Sequence, residues 1–349
     1  GIFMFFVGRW QERYGLRRMM TVGAAIFGLN LLLITWATSL FELYLWAFIN
    51  GVAYSFIYVP ALTTVQRWFP AKRGTVSGMV NLCLGMSGAV MAPVFSYLLT
   101  ALGYVPMNLL LAAATLVVSV SAAQFSDPPE ITAAEPPAKP PAAPGRPAGP
   151  GSSLTVGQTL KTRNFWLLWI IAILQGAAGV SMITLSITFG LSQGLTLPSA
   201  VIILTAWNIG NGAGRFLLGF LSDVLGRNFT LCLAALAAAA SYFALPYVPG
   251  LAAAAVMAGL IGMAFGALFS VGAPLASDCF GLAHFGAIFG LIFTGHSFFG
   301  GLIGPGLSGL ILDLTHGSFD LVFLYLGVFS LGASGLIWLV RPPHALETQ

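Results

Sequence analysis

One arginine stands inside an otherwise apolar stretch, in the segment "NIGNGAGRFLLGFLSD" at residues 208–223. If this stretch crosses a membrane, Arg215 costs about 2.5–3.5 kcal/mol on insertion scales, unless it faces a wet cavity or binds an anion. A guanidinium suits a carboxylate because its planar fork donates two parallel hydrogen bonds. An alternative stays open: Arg215 precedes Asp223 by eight residues, about 12 Å along a helix, so its side chain could snorkel to the membrane surface.

A histidine in the segment "FTGHSFFGG" is the second candidate for chemistry. His296 follows Phe285 by 11 residues, about 16 Å along a helix, which is close to the depth of Arg215. Because imidazole titrates near neutral pH, His296 could hold a proton or contact an anion, or it could simply hydrogen-bond a neighbouring helix. We expect the remaining histidines to be solvated at the surface: His284, His316 and His344.

Other polar side chains in apolar surroundings could complete a pocket. Tyr54 and Tyr58 lie one helical turn apart, and an aromatic wall with hydroxyls suits a small carboxylate. Three isolated amides are either ligand contacts or interhelical hydrogen bonds, namely Asn81, Gln175 and Asn208. Trp207 is expected to serve packing. No nucleotide-binding loop, paired intramembrane carboxylates or metal-ligand spacing is found, and the three cysteines are unspaced, so we expect no enzyme, cofactor or metal.

The composition tells which elements position these residues. Only 7% of the 349 residues are charged and 58% are hydrophobic, whereas about a quarter of a soluble domain is charged. Continuous apolar runs of about 20 residues predict spanning helices rather than alternating barrel strands. The runs lie near 19–37, 41–64, 74–100, 104–125, 165–190, 198–221, 229–247, 251–273, 286–311 and 319–340.

Basic residues predict the orientation of these helices. Thirteen of the 14 Lys and Arg residues fall in one alternating set of loops, and the other set has none; the basic set is 9–18, 65–73, 126–163, 222–228, 274–285 and the tail after 340. By the positive-inside bias this set is cytoplasmic. We therefore expect a multi-pass protein of the inner membrane, with its C-terminus in the cytoplasm. The net charge of +4 reflects topology and indicates no nucleic acid.

A proline-rich segment divides the chain. Residues 126–163 hold nine of the 20 prolines, which predicts an extended cytoplasmic linker. It separates an N-terminal helical half, 1–125, from a C-terminal half, 164–349, that contains six helices and a short tail. Because residues 1–8 resemble the end of a helix, we expect that a first helix and part of the second are missing.

The two halves repeat one another. Gly8, Glu12 and Gly15 match Gly219, Asp223 and Gly226 at an offset of 211 residues. At an offset of 212, four further positions match; the pairs are Gly74 and Gly286, Gly78 and Gly290, Gly88 and Gly300, and Pro93 and Pro305. Such parallel repeats are typical of transporters built around an axis along the membrane normal.

The repeated G-x-x-x-[D/E]-x-x-G motif, in "GRWQERYGLRR" and "GFLSDVLGRN", resembles that of the major facilitator superfamily. The resemblance implies an all-α integral membrane protein with two six-helix bundles related by a pseudo-twofold axis. It also implies gating loops that latch the cytoplasmic side; their residues are Gly8, Glu12, Arg13, Gly15, Gly219, Asp223, Gly226 and Arg227.

A narrower resemblance, to the oxalate:formate antiporter family and the related monocarboxylate transporters, rests on "YVPALTTVQRWFPAKRGTVSG", "NFWLLW" and "FGAIFGLIF". Asn211-x-x-x-Arg215 is similar to a monocarboxylate transporter pattern with Asp first, which implies that Arg215 contacts the substrate carboxylate. Asn211 departs from that proton-carrying Asp. His296 takes the place of a Lys of oxalate transporters. Ala47, four residues before Gly51, replaces the Arg of proton-coupled drug antiporters.

Together these features predict a monomeric secondary transporter of small organic anions, either mono- or dicarboxylates such as oxalate, formate, lactate or pyruvate. Alternating access would proceed by anion exchange or by proton cotransport. The expected binding residues are Arg215, His296, Asn211, Tyr54, Tyr58 and Gln175. The alternatives are a major facilitator exporter of another metabolite or drug, and a membrane sensor that does not transport.

Overall fold

The computed structural model describes residues 2–126 and 153–342, without the side chains of 86–90, 92, 93 and 96. Five helices precede the undescribed segment: α1 Ile2–Tyr14, α2 Leu16–Thr35, α3 Leu40–Trp68, α4 Arg73–Leu102 and α5 Tyr104–Gln124. Eight follow it: α6 Val156–Thr159, α7 Arg163–Ser192, α8 Leu197–Leu225, α9 Arg227–Ala244, α10 Leu251–Phe280, α11 Phe285–Thr294, α12 Gly301–Leu314 and α13 Asp320–Leu339. A π-helical turn, Gly295–Gly300, joins α11 to α12.

Every apolar run predicted from the sequence lies mainly within one of these helices, or within α11 and α12 together. The segment that ends at residue 8 in the prediction continues as helix α1 to Tyr14. Within the described residues, seven helices are long and apolar enough to cross a membrane. The other three long helices, α4, α8 and α9, fall outside that set; in α8, Asn208, Asn211 and Arg215 lower the hydropathy of the helix.

Glycines at equivalent positions of the two repeats end one helix and begin the next with the same backbone conformation. Gly15 separates α1 from α2 with φ of 85° and ψ of 155°, and Gly226 separates α8 from α9 with φ of 92° and ψ of 150°. This region of backbone conformation is essentially restricted to glycine. The last glycine of each repeated motif is therefore required by the turn that it makes.

The repeated glycines also form equivalent helix contacts. Gly8 of α1 meets the backbone of Gly286 at the start of α11, and Gly219 of α8 meets the backbone of Gly74 at the start of α4. Each pair joins a helix that precedes residue 127 to one that follows residue 152. Small residues allow such close approach of helix backbones. These two contacts close one end of the structure, which we call the basic end because Arg13, Arg73 and Arg227 lie there.

The core lies mainly among the helices that follow residue 152. The largest fully buried side chains there include Trp207, Tyr242, Phe189, Phe280, Phe285 and Phe323, with Tyr58 and Leu62 from α3. Of the predicted linker, residues 127–152 lie outside the described part of the chain. Its end packs on the turn between α10 and α11: the Leu154 N–H donates to the Phe280 carbonyl at 2.9 Å.

Candidate functional site

Arg215 is buried in α8, with 8% of its surface exposed. Its Nε donates to Oδ1 of Asn211 at 3.1 Å, and its Nη1 donates to the backbone carbonyl of Asn81 at 3.2 Å. The guanidinium carbon lies 4.4 Å from the ring centroid of Phe269 on α10. The side chain thus contacts α4 and α10 and is directed away from the basic end, so it does not snorkel.

The partners of this guanidinium are all neutral. Among the described residues, no carboxylate forms an ion pair with Arg215, and its Nη2 has no hydrogen-bond partner. A buried charge without a counter-ion is costly unless a ligand supplies one. The site therefore combines a fixed positive charge with an unused donor group.

Asn81 connects the arginine to the two tyrosines. The Tyr58 hydroxyl donates to Oδ1 of Asn81 at 3.1 Å, and the amide of Asn81 donates to the carbonyls of Ser77 and Phe269 at 2.8 and 3.3 Å. Tyr54 stacks on Tyr58 with ring centroids 5.1 Å apart. Four helices, α3, α4, α8 and α10, thus meet at Asn81.

His296 lies on the π-helical turn and is also buried. Phe265, Phe269 and Phe293 surround its ring at centroid distances of 5.5, 5.1 and 4.9 Å. Its buried Nδ1 has no hydrogen-bond partner among the described residues. Because Phe269 also contacts the guanidinium, this ring separates Arg215 from His296. Single π-helical turns inside α-helices occur frequently at functional sites.

The remaining predicted polar residues divide into two groups. Gln175 is buried on α7, next to Gly176, which contacts His296. Trp207 is buried against Phe265, and its Nε1 lacks a partner among the described residues. Asn208, in contrast, is exposed and donates to the Leu204 carbonyl of its own helix at 2.9 Å, so it lies outside the site.

At the basic end, Asp223 binds the first turn of α4. Its carboxylate accepts the N–H groups of Gly74 and Thr75 at 3.0 and 2.7 Å, as well as the hydroxyl of Thr75. Burial raises the pKa of Asp223, but the hydrogen bonds from Thr75, Arg227 and Gly74 outweigh it and hold the pKa below its ordinary value. A carboxylate at a helix N-terminus also interacts favourably with the helix dipole.

Asp278 extends this contact into an ion-pair network. Arg227 pairs with Asp223 and donates from Nε to Asp278 at 3.1 Å. Arg73 pairs with the other oxygen of Asp278 at 3.0 Å. The network thus joins α4 to α8, α9 and α10. The sequence prediction included Asp223 and Arg227 but missed Asp278 and Arg73.

The first copy of the motif makes a different contact. Glu12 accepts or shares a hydrogen bond with Nδ1 of His284 at 3.0 Å. His284 is about one-third exposed in its loop, as the sequence predicts, but the prediction missed its contact with Glu12. Arg13 was expected to join the latch, but its guanidinium lies 5.5 Å from the ring centroid of Tyr14, and it forms no ion pair among the described residues.

Comparison with known proteins agrees with this architecture. The family described as Major Facilitator Superfamily matches residues 1–298 and 202–349. The chain belongs to the major facilitator superfamily. It is thus a membrane transporter and not an enzyme, and the predicted fold is confirmed.

Three similar proteins show the range of relatives. The oxalate:formate antiporter of Oxalobacter formigenes is 24% identical, over 96% of this chain and 78% of that protein. Human monocarboxylate transporter 11 is 29% identical, over 97% of this chain and 71% of that protein. The crystal structure of the transporter FucP in the outward conformation aligns with a TM-score of 0.72 and 16% identity, over 97% of this chain and 86% of that one.

Proposed function

We propose that this protein exchanges small organic anions across the cytoplasmic membrane and that Arg215 binds the carboxylate of the anion. The observation that carries the proposal is the buried guanidinium whose described partners are all neutral. A carboxylate on the unused Nη2 and the neighbouring nitrogen would supply the missing charge through two parallel hydrogen bonds. The similarity to the oxalate:formate antiporter and to monocarboxylate transporter 11 supports the same class of substrate.

Charge balance favours exchange over proton cotransport. Asn211, the side chain closest to Arg215 along α8, is an amide and cannot take up a proton to change the charge of the site. An empty site would carry an uncompensated cation through the closed intermediate, whereas a site loaded with a monoanion is close to neutral. The change between the inward-open and outward-open states is therefore favoured only when an anion is bound. Cotransport would instead depend on His296.

The glycine contacts indicate which helices would separate during the alternating-access movement. Opening the basic end requires that α1 separates from α11 and α4 from α8, which breaks the backbone contacts of Gly8 and Gly219. We place the basic end at the cytoplasm because of its arginines. The residues before 127 and those after 152 then act as the two moving halves, and Arg215 lies between them.

The proposal predicts that Arg215→Gln stops transport. Proteoliposomes loaded with unlabelled oxalate, formate, lactate or pyruvate would be tested for uptake of the same labelled anion. Loss of a charge-assisted contact of about 1.5–3 kcal/mol should lower uptake about 10- to 100-fold. Arg18→Gln, at an exposed arginine, is the matched control and should transport normally.

Three outcomes would contradict the proposal. Normal uptake by Arg215→Gln would show that this arginine does not bind the anion. Saturable binding of an anion to the wild type without any flux would instead favour the membrane sensor. Flux of another class of solute, with none for these anions, would favour the exporter.

A further inference from the structure

The two repeats close the basic end with different chemistry. In the second repeat, Asp223, Arg227 and Asp278 form ion pairs between carboxylates and a guanidinium. In the first repeat, the equivalent acidic residue, Glu12, pairs with a histidine, His284. Imidazole changes its charge between about pH 5 and 8. One of the two closing contacts therefore contains a group that responds to pH.

The position of His284 is held by neighbouring groups of the α10–α11 turn. Nη2 of Arg67 donates to the Leu282 carbonyl at 3.3 Å, and the Ala283 N–H donates to the Ser153 hydroxyl at 3.2 Å. His284 itself precedes the first residue of α11. Glu12 lies on α1, one turn beyond Gly8, so the pair bridges the same two helices as the contact between Gly8 and Gly286.

We propose that the His284–Glu12 pair is a proton-sensitive latch that strengthens closure of the basic end when the solvent there is acidic. A neutral imidazole donates a hydrogen bond to the carboxylate, whereas an imidazolium adds the attraction between two opposite charges. Both side chains are about one-third exposed, at 35% and 30%, so protons reach them directly. The inference rests on the alternating-access movement proposed above, but not on the identity of the anion.

Other charged and titratable side chains lie on the helices that pack against α11. At this end of the molecule they are Arg9, Glu12 and Arg13 on α1, Arg67 on α3, Arg163 on α7, and Asp278 and Cys279 on α10. The described helix α6 contributes none. Glu12 is the group within hydrogen-bond distance of the imidazole, and an added proton would introduce an attraction between opposite charges. Acid should therefore close the basic end, and alkali should release it.

The latch is tested by the distance between spin labels on the two sides of the basic end. Tyr14→Cys on α1 and Val224→Cys on α8 are exposed positions, and the three native cysteines would be replaced by Ala. In nanodiscs without any anion substrate, lowering the pH from about 8 to about 6 should raise the ratio of short to long distances about two- to fivefold, as expected for a partly exposed pair.

Three histidine variants separate the latch from other effects. His284→Gln should remove the pH dependence and keep the lower ratio, while His284→Lys should keep the higher ratio at both pH values. The control His316→Gln changes an exposed histidine at the opposite end and should respond as the wild type does.

The latch is contradicted if the wild type shows no pH dependence, if His284→Gln retains it, or if His284→Lys matches His284→Gln. Because this readout needs no substrate, it distinguishes failure of the latch from failure of the anion-exchange proposal.

Discussion

At the scale of single residues, the sequence identified the charged group of the site and two residues that hold it, Asn211 and Asn81, but not the ring of Phe269. Arg215 could be predicted because it is the one basic residue in an apolar run. Asn81 stood out as an isolated amide, although its partner could not be predicted. Phe269 contacts Arg215 from a helix far away in sequence, and a single apolar side chain carries no signal of such a contact. The spacing of Phe265 and Phe269, one helical turn apart, was the available hint.

His284 shows a second limit of the same kind. A histidine in a short polar loop has the pattern of a solvated residue, and its partner Glu12 lies 272 positions away. The repeat pattern could have indicated it, because Gly8 and Glu12 recur with the glycines that close the basic end. Glu12 was predicted as a gating residue, but its pairing with His284 is predictable only once the two repeats are packed together.

The lowered pKa of Asp223 gives a prediction for stability. A carboxylate whose pKa falls on folding stabilises the protein above its unfolded pKa of about 3.9, and this contribution disappears as the pH falls through the folded value. Asp223→Asn keeps one acceptor oxygen but removes the charge, so it should lower the free energy of unfolding by about 0.3–2 kcal/mol at neutral pH, the usual range for a charge at a helix N-terminus.

The measurement is thermal unfolding in detergent between about pH 7 and pH 3. The difference between Asp223→Asn and the wild type should shrink as the pH falls below about 4. Asp313→Asn, at an exposed acidic residue of α12, serves as the control. An unchanged difference across this range would show that the charge of Asp223 does not contribute.

At the scale of elements, apolar length predicted the helices well because desolvation of the backbone leaves few other solutions in a membrane. The boundaries differ mainly at polar ends, as in α1, which continues to Tyr14. Pattern alone did not predict the π-helical turn at Gly295–Gly300, since its glycines and histidine fit an ordinary α-helix. The packing of Leu154 on the α10–α11 turn was equally hidden within a proline-rich segment.

The close contact between α4 and α8 predicts how a larger side chain at Gly219 would affect closure of the basic end. A Cβ at Gly219 would lie 2.6 Å from the carbonyl oxygen of Gly74, so Gly219→Ala should disfavour closure of the basic end. With an overpacking cost of about 1–3 kcal/mol, the ratio of short to long label distances should fall about fivefold or more.

Gly212→Ala is the matched control on the same helix, because a Cβ there meets no atom within 4 Å. It should leave the label distances unchanged. Equal distance distributions for Gly219→Ala and the wild type would contradict the assignment of this contact to closure.

At the scale of the whole molecule, the two repeats share their helix contacts but differ in the charged side chains that they carry. Gly78 packs on the backbone of Arg215, and its counterpart Gly290 packs on the backbone of Met4. The position equivalent to Arg215 in the first repeat therefore holds an uncharged side chain. A single fixed charge between symmetric helices fits a monoanion and supports exchange, because the charge of the site changes only when the anion binds or leaves.

Anion exchange is tested most directly by labelled-anion uptake into proteoliposomes that are either loaded with the unlabelled anion or empty. We expect wild-type uptake to require internal anion, by about tenfold or more, because the empty cationic site is unfavourable in the closed intermediate. An imposed pH gradient should change uptake by no more than the roughly two- to fivefold effect of the His284–Glu12 latch. Asn211→Asp should relax this requirement, because its carboxylate can neutralise Arg215 in the empty site. Equal wild-type uptake into empty and loaded vesicles, accelerated by the pH gradient, would contradict the account.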